Sequence, residues 1–213
     1  MNYFTIRDES KAEFKEKKSI FIGQVKRVET EDEAKEFIRK IKNQHKEARH
    51  NVYAYIIGEN RMIQRYSDDG EPHGTGGIPM LEVLKKSEIT DVVAVVTRYF
   101  GGILLGTGGL ARAYSKGASL AIKEAGVVEK VKGISLQIVV EYDLLGKLQH
   151  VCLDGNTHIE NIEYTDKVKI EILCEFTNLE KLESQITEVT SGKALFEEGE
   201  PKMYFKLENR LYE

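Results

Sequence analysis

The sequence predicts an α+β protein of two domains, residues 1–133 and 134–213, each built on the order β-α-β-β-α-β. Three observations carry that prediction. A chain of 213 residues is long enough for two cores. Its hydrophobic period switches between two and about 3.6 in the same order twice. The net charge of −4 also conceals a split. The first 133 residues hold 23 Lys or Arg against 19 Asp or Glu, a net of +4, whereas the remainder holds 8 against 16, a net of −8.

Ser19 to Val28 reads as the first strand. Thr30 with Glu33 forms a capping-box signature, and Ala34, Phe37, Ile38 and Ile41 recur at helical spacing, so a helix with one buried face follows. After the polar joint Asn43 to Arg49, the segments His50 to Ile57 and Met62 to Tyr66 flank Gly58-Glu59-Asn60-Arg61 as a hairpin. A helix led by Gly74-Thr75-Gly76-Gly77, the strand Asp91 to Tyr99 and an added helix from Gly109 to about Ala125 complete the first domain. In that last helix Leu110, Ala113, Tyr114, Gly117, Ala118, Ala121, Ile122 and Ala125 form a stripe of mostly small residues, which implies close approach to the sheet. Arg112, Lys116 and Lys123 fall on another face, as a basic ridge or simply a solvated one.

Gly126 to Gly133 reads as a turn, a short strand and a joint. Ile134 to Tyr142 is then a strand, and Leu144, Leu145, Leu148, Val151 and Cys152 mark a helix. Thr157 to Tyr164 pairs with Val168 to Phe176 across Thr165-Asp166-Lys167, with Val168, Ile170, Ile172, Cys174 and Phe176 alternating on one face. Asn178 caps a helix running to about Thr190, and Lys202 to Leu207 is the last strand. The order is that of a ferredoxin-like domain.

One tetrapeptide occurs twice, as Gly74-Thr75-Gly76-Gly77 and Gly106-Thr107-Gly108-Gly109, each opening a helix. A helix that packs back on the strand after it runs antiparallel to that strand. Both helix starts therefore belong at one end of the sheet, with Arg98, Tyr99, Phe100, Gly101 and Gly102. The first N–H groups of a helix lack intrahelical partners and favour an anion, and Arg98 and Arg112 add two guanidiniums. Asp68, Asp69 and Glu71 fall on the rim and oppose that sign. Plainer readings stand beside this one: the glycines make tight turns, Tyr99 and Phe100 pack in the core, and Arg98 is locked to a rim carboxylate. No metal site is assigned to the acidic run.

The sequence has no P-loop, nucleophile elbow, paired Cys-x-x-Cys or His-Glu-x-x-His, so no catalytic residue is assigned and no cofactor is implied. His45 and His50 take structural or surface roles. The start of the chain has no basic segment followed by an apolar one, and the apolar run Val92 to Leu105 is interrupted by Thr97, Arg98, Gly101 and Gly102. A protein outside the membrane is expected, and Cys152 and Cys174 read as reduced core residues of a cytoplasmic protein.

Ser67-Asp68-Asp69-Gly70-Glu71-Pro72 before Gly74-Thr75-Gly76-Gly77-Ile78-Pro79, and Thr97-Arg98-Tyr99-Phe100-Gly101-Gly102 before Leu105-Gly106 and Gly108-Gly109-Leu110-Ala111-Arg112-Ala113-Tyr114, resemble the signature of the IMPACT family. Lys18-Ser19, Phe21-Ile22-Gly23 and His50-Asn51-Val52-Tyr53-Ala54-Tyr55 extend the resemblance over about Lys17 to Ile122. The acidic half resembles the accessory domain of the family's bacterial branch. The resemblance implies that the first domain is similar to domain 2 of ribosomal protein S5 and to domain IV of elongation factor G. The second would be similar to that factor's last, ferredoxin-like domain. It further implies a translation-associated role. His73 and Thr107 depart from the pattern of many relatives.

The expected function is that of a cytoplasmic binding protein that contacts RNA, or a ribosomal or translation-factor partner, through the basic first domain. Arg98 and Arg112 would meet phosphate, the amides of the two glycine turns would add donors, and Tyr99 or Phe100 would stack on a base. The alternative is an enzyme acting on a small phosphorylated or nucleotide ligand at the same helix starts.

Overall fold

Alternating burial organises the first unit, Tyr3–Val128, in a computed structural model that describes residues 2–155 and 157–213. Its elements are β1 (Tyr3–Ile6), β2 (Ser10–Glu16), β3 (Ser19–Arg27), α1 (Glu31–Gln44), β4 (His50–Ile57), β5 (Ile63–Ser67), α2 (Gly77–Lys86), β6 (Val92–Tyr99) and α3 (Thr107–Ala125). Five strands form one antiparallel sheet in the order β2-β3-β6-β4-β5. The central β6 is buried on both faces, which is why it reads as an unbroken apolar run. Its residues Val92, Ala94 and Val96 pack with α2 and α3, while Val93 and Val95 pack with Ala34, Phe37, Ile38 and Ile41 of α1. The α1 cap forms as expected, with Thr30 Oγ1 accepting from the Glu33 amide, although the Glu33 carboxylate returns to the amide of Glu29.

Strands β1 and β2 are additions to the predicted order. In β2 only Ala12 and Phe14 are apolar, and the alternate positions Lys11, Glu13 and Lys15 are exposed, so a half-buried edge strand left little hydrophobic signal. The stripe of small residues on α3 does bring it onto the sheet. A Cβ on Gly23 of β3 would overlap the carbonyl oxygen of Gly117. Gly23→Ala is therefore expected to lower stability by about 1–3 kcal/mol through overpacking, measured by urea denaturation, whereas alanine at Gly146, where nothing lies within 4 Å of an added Cβ, is expected to cost little.

The second unit comprises Asn2 and Glu129–Glu213. Gly126, at φ +72°, forms the expected turn at the end of α3, and strand β7 (Val127–Val140) then runs without a break in place of the expected short strand and joint. Gly133, read as part of that joint, is a packing glycine: a Cβ on it would meet Leu211 and Tyr204 side chains at 2.8 Å. A 3-10 turn at Tyr142–Leu144 leads to α4 (Leu145–Asp154), followed by β8 (Ile159–Tyr164), β9 (Val168–Glu175), α5 (Leu179–Val189), β10 (Leu195–Glu198), β11 (Lys202–Leu207) and β12 (Arg210–Tyr212). The sheet order is β12-β11-β7-β9-β8, with β10 also pairing β7, all antiparallel.

Two details of this unit differ from the sequence reading. Asn178 stands before α5 in a helical conformation at the end of a 3-10 turn and makes no side-chain cap, because a capping side chain requires an extended residue at that position. Phe176 leaves the buried face of β9 and is exposed, with the Lys132 ammonium 4.6 Å from its ring centroid. Cys152 and Cys174 are buried and free, and burial pushes both thiols up to about 11. Both units are mixed α+β. Among the described residues no helix is long and apolar enough to cross a membrane.

Candidate nucleic-acid interface

Because β4 and β6 are antiparallel, His50 lies opposite Arg98, and the beginning of β4 reaches the end of β6. That end also receives the starts of α2 and α3, so the topology gathers most of the predicted residues. Their roles divide in an unexpected way.

The start of α2 is closed from inside. Asp68 Oδ1 accepts from the amides of Gly76 and Gly77 at 2.9 and 2.8 Å, and Oδ2 accepts from Gly74 at 2.9 Å. Thr75 is buried and its hydroxyl donates to the Pro72 carbonyl. Gly77 admits this arrangement because a Cβ there would press on Tyr66 and the Ser67 backbone. Burial alone would raise the Asp68 carboxyl, but the amides of Gly74, Gly77 and Gly76, aided by His73, outweigh it and hold it below the ordinary carboxylate value. The expectation that Gly74 to Gly77 offer amides to an external anion is thus corrected: the Asp68 carboxylate already occupies those of Gly74, Gly76 and Gly77, and the Thr75 amide donates to the Pro72 carbonyl.

Arg98 is also occupied. It is 5% exposed, and its Nη1 donates to Glu71 Oε1 at 2.7 Å. Tyr114 donates its hydroxyl to the same oxygen at 2.7 Å, and His50 Nε2 lies 4.0 Å away. Phe21 and Phe100 flank the guanidinium at 5.6 and 5.4 Å from their centroids. Burial first, then the Glu71 charge, pushes the Tyr114 phenol well above its ordinary value, so it stays a neutral donor. The internal ion pair, one of the plainer readings, is the one formed. Among the described residues, Arg98 Nε has no hydrogen-bond partner.

The third acidic residue is likewise engaged. Asp69 accepts from the Asn51 amide and from Lys42 Nζ, both at 2.6 Å. The three rim carboxylates therefore serve three separate sets of donors, and among the described residues no three His, Cys, Asp or Glu side chains group to hold a metal. Tyr99 points to the other face of the sheet, where its hydroxyl meets His45 Nδ1 at 2.9 Å. His50 Nδ1 meets the Asp69 carbonyl at 2.8 Å.

The start of α3 differs from that of α2. Gly106, with φ +70°, precedes Thr107, and no side chain caps the helix. Gly106, Thr107, Gly108 and Arg112 are exposed, and Gly109 is half-buried. The preceding loop lies on the β2–β3 hairpin, where a Cβ on Gly101 would overlap the carbonyl of Lys18; Gly102 follows with φ +84°. Two openings flank this helix start. One is a cavity of about 340 Å³ whose lining includes Arg49, His50, Glu71, Arg98, Phe100 and Thr107. The other is a groove of about 250 Å³ lined by Phe14, Glu16, Lys17, Leu105, Gly109, Arg112, Ala113 and Lys116.

Arg49 and Lys17 were not foreseen as site residues. Arg49 could have been found from the antiparallel pairing of β4 with β6, which places residues before His50 at the site. Lys17 belongs to a two-residue hairpin turn, Lys17-Lys18, in which both residues have positive φ, 43° and 67°. Asn-Gly is the usual choice for such a turn, and two lysines there keep positive charge beside α3 against backbone preference.

Residues 17–122 match the family model described as the Impact N-terminal domain, and residues 138–193 match a domain of unknown function, DUF1949. The chain is 44% identical over 212 residues to IMPACT family member YvyE of Bacillus subtilis, covering 100% of this chain and 98% of that protein. It is 32% identical over 178 residues to IMPACT family member YigZ of Escherichia coli, covering 83% and 87%. A Dictyostelium discoideum protein named Protein IMPACT homolog is 39% identical over 94 residues, 43% of this chain and 27% of that one. A solved structure titled as that of a hypothetical protein aligns with a TM-score of 0.60 at 28% identity, covering 92% of this chain and 96% of that one.

Proposed function

Since the chain belongs to the bacterial IMPACT family, we propose that it is a cytoplasmic, translation-associated protein that binds RNA through its basic first unit. In this reading the first unit is akin to domain 2 of ribosomal protein S5 and the second is ferredoxin-like. The observation that carries the proposal is the groove beside α3. It sets Lys17, Arg112 and Lys116 against the single carboxylate of Glu16, next to helix amides without a side-chain cap. Phosphate neutralisation by such cations supplies most sequence-independent affinity for nucleic acid. Lys17 and Arg112 make no ion pair among the described residues, whereas Lys42, Lys85, Arg65 and Arg98 each lie within ion-pair range of a carboxylate.

The test is a fluorescence-anisotropy titration of a labelled, unstructured single-stranded RNA with the full chain and with the Arg112→Ala/Lys116→Ala double variant. The double variant is expected to bind more weakly while staying folded, its melting temperature lowered only slightly by loss of the Lys116 ammonium 4.5 Å from the Phe14 ring centroid. Equal binding by both would remove the groove from the interface, and absence of RNA binding altogether would favour a ribosomal protein or translation factor as partner.

The hairpin turn gives a second, opposed readout. Lys17→Asn with Lys18→Gly relieves two left-handed lysines and is expected to raise stability by roughly 1 kcal/mol or more. It removes two cations at the same time, so RNA affinity is expected to fall. Thermal melts and titrations on the same variant check the pair of signs. An enzyme acting on a small phosphorylated or nucleotide ligand is favoured by one observation, the cavity beside Arg98. Chemical conversion of such a ligand by the purified chain would establish that reading, and its recovery unchanged supports a binding protein.

A further inference from the structure

Four aromatic rings of the second unit carry cations of the chain itself. Lys132 lies 4.6 Å from the Phe176 ring centroid, Arg210 4.8 Å from Tyr212, Lys202 5.2 Å from Tyr204 and Lys130 5.4 Å from Phe205. One exposed pair does not follow this pattern. Tyr142 and Tyr164 stack with centroids 6.3 Å apart and planes at 26°, and they are 51% and 60% exposed. Among the described residues no Lys or Arg lies over either ring. The Tyr142 hydroxyl donates to the Thr165 carbonyl, so that ring is held in place before any partner arrives.

The second observation is the strand that carries Tyr164. β8 ends the sheet order, and among the described residues β9 is the one strand paired with it. One row of its backbone N–H and C=O groups therefore has no strand partner. Native edges are commonly blunted by Lys, by Pro or by very short strands, whereas Ile159–Tyr164 has six residues and neither Lys nor Pro. Its two charges are carboxylates, which repel a second copy of the same edge. Arg210 takes Glu160. Glu163, and Asp143 beside Tyr142, are exposed and make no ion pair among the described residues.

The third observation is charge. Residues 134–213 hold 8 Lys or Arg against 16 Asp or Glu, a balance that repels phosphate and attracts cations. Aromatic faces beside carboxylates suit a guanidinium, and an unpaired strand edge suits an extended backbone.

We propose that the β8 edge docks an extended, arginine-bearing segment of a protein partner. The segment adds to β8 as a further strand, and side chains alternate across a strand, so one set of its residues falls on the face of Tyr164. Arginines in that set stack on the Tyr142–Tyr164 pair beside Asp143, and the opposite set meets Glu163. The inference goes beyond RNA binding and uses a different unit of the chain.

Fluorescence anisotropy of a labelled decapeptide alternating arginine and threonine, titrated with the full chain, tests it. The peptide is expected to bind, and its counterpart with glutamate in place of arginine is not. Tyr142→Ala/Tyr164→Ala is expected to weaken binding by about five- to thirtyfold, whereas Tyr142→Phe/Tyr164→Phe, which keeps both rings, retains it. Tyr164→Ala alone serves if the double alanine variant does not fold. Binding unchanged by the alanine substitutions would overturn the proposal, since it would mark a general attraction of acidic surface for cations. N-methylation of alternate peptide amides removes the donors of one strand register at a time. Loss of binding in one register is expected, and tolerance of both would overturn strand addition. Sedimentation velocity on the chain alone examines the other occupant: a dimer that Tyr164→Ala dissociates would assign the edge to a second copy and overturn the proposal. The tyrosine variants are expected to bind single-stranded RNA as the wild type does, so the two readings fail separately.

Discussion

Arg98→Ala is expected to lower the stability of the protein by about 3–5 kcal/mol, the usual consequence of removing one partner of a buried ion pair. Both side chains are nearly excluded from solvent, at 6% for Arg98 and 4% for Glu71. The substitution leaves the Glu71 carboxylate in the interior with the neutral Tyr114 hydroxyl as its remaining hydrogen-bond donor. For a chain of this length such a loss corresponds to a fall in melting temperature on the order of 10 °C. Arg98→Leu combined with Glu71→Leu removes both charges and is expected to recover much of the loss, since apolar replacements of buried pairs are often neutral or better. Tyr114→Phe alone is expected to cost about 1.5–3 kcal/mol, one hydrogen bond to a charged group. An Arg98→Ala protein that melts with the wild type would contradict the structural role of the pair.

Asp68→Ala is expected to cost roughly 2–4 kcal/mol, because three amides lose one carboxylate and two of their residues, Gly76 and Gly77, are buried. Asp68→Asn keeps an acceptor oxygen and should lose less. The effect depends on pH with a definite sign. The folded-state value of the Asp68 carboxyl is depressed, so its contribution is fully present above the unfolded-state value and is lost as pH falls through the folded-state value. Denaturation curves for the wild type and Asp68→Asn should therefore diverge at neutral pH and converge in acid. A difference that stays constant down to the acid limit would show that the carboxylate is not the cap.

Much of this architecture is legible in the sequence, because helices and central strands carry strong periodic signals. β6 and the small-residue face of α3 are examples, and the resemblance over Lys17 to Ile122 coincides with the matched residues 17–122. Edge elements are less legible: β2 has two apolar residues, and β10 and β12 have only four and three residues in all. Topology also brings the candidate site residues together, but what each does depends on contacts that spacing does not encode. The acidic run Asp68-Asp69-Gly70-Glu71 turns back through positive φ at Asp69 and Gly70, which delivers Asp68 to the amides that an external anion was expected to meet. Strand parity decides the placement of Tyr99. Residues 98 and 99 must face opposite sides of β6, so only one of them can border a given opening.

The salt dependence of RNA binding tests the central claim most directly. If Lys17, Arg49, Arg112 and Lys116 neutralise three or four phosphates, a plot of log K against log salt concentration for single-stranded RNA should have a slope of about −2 to −3. The Arg112→Ala/Lys116→Ala variant should then have a slope shallower by about 1.4. A slope near zero for the wild type, or the same slope for both proteins, would contradict RNA binding at the start of α3.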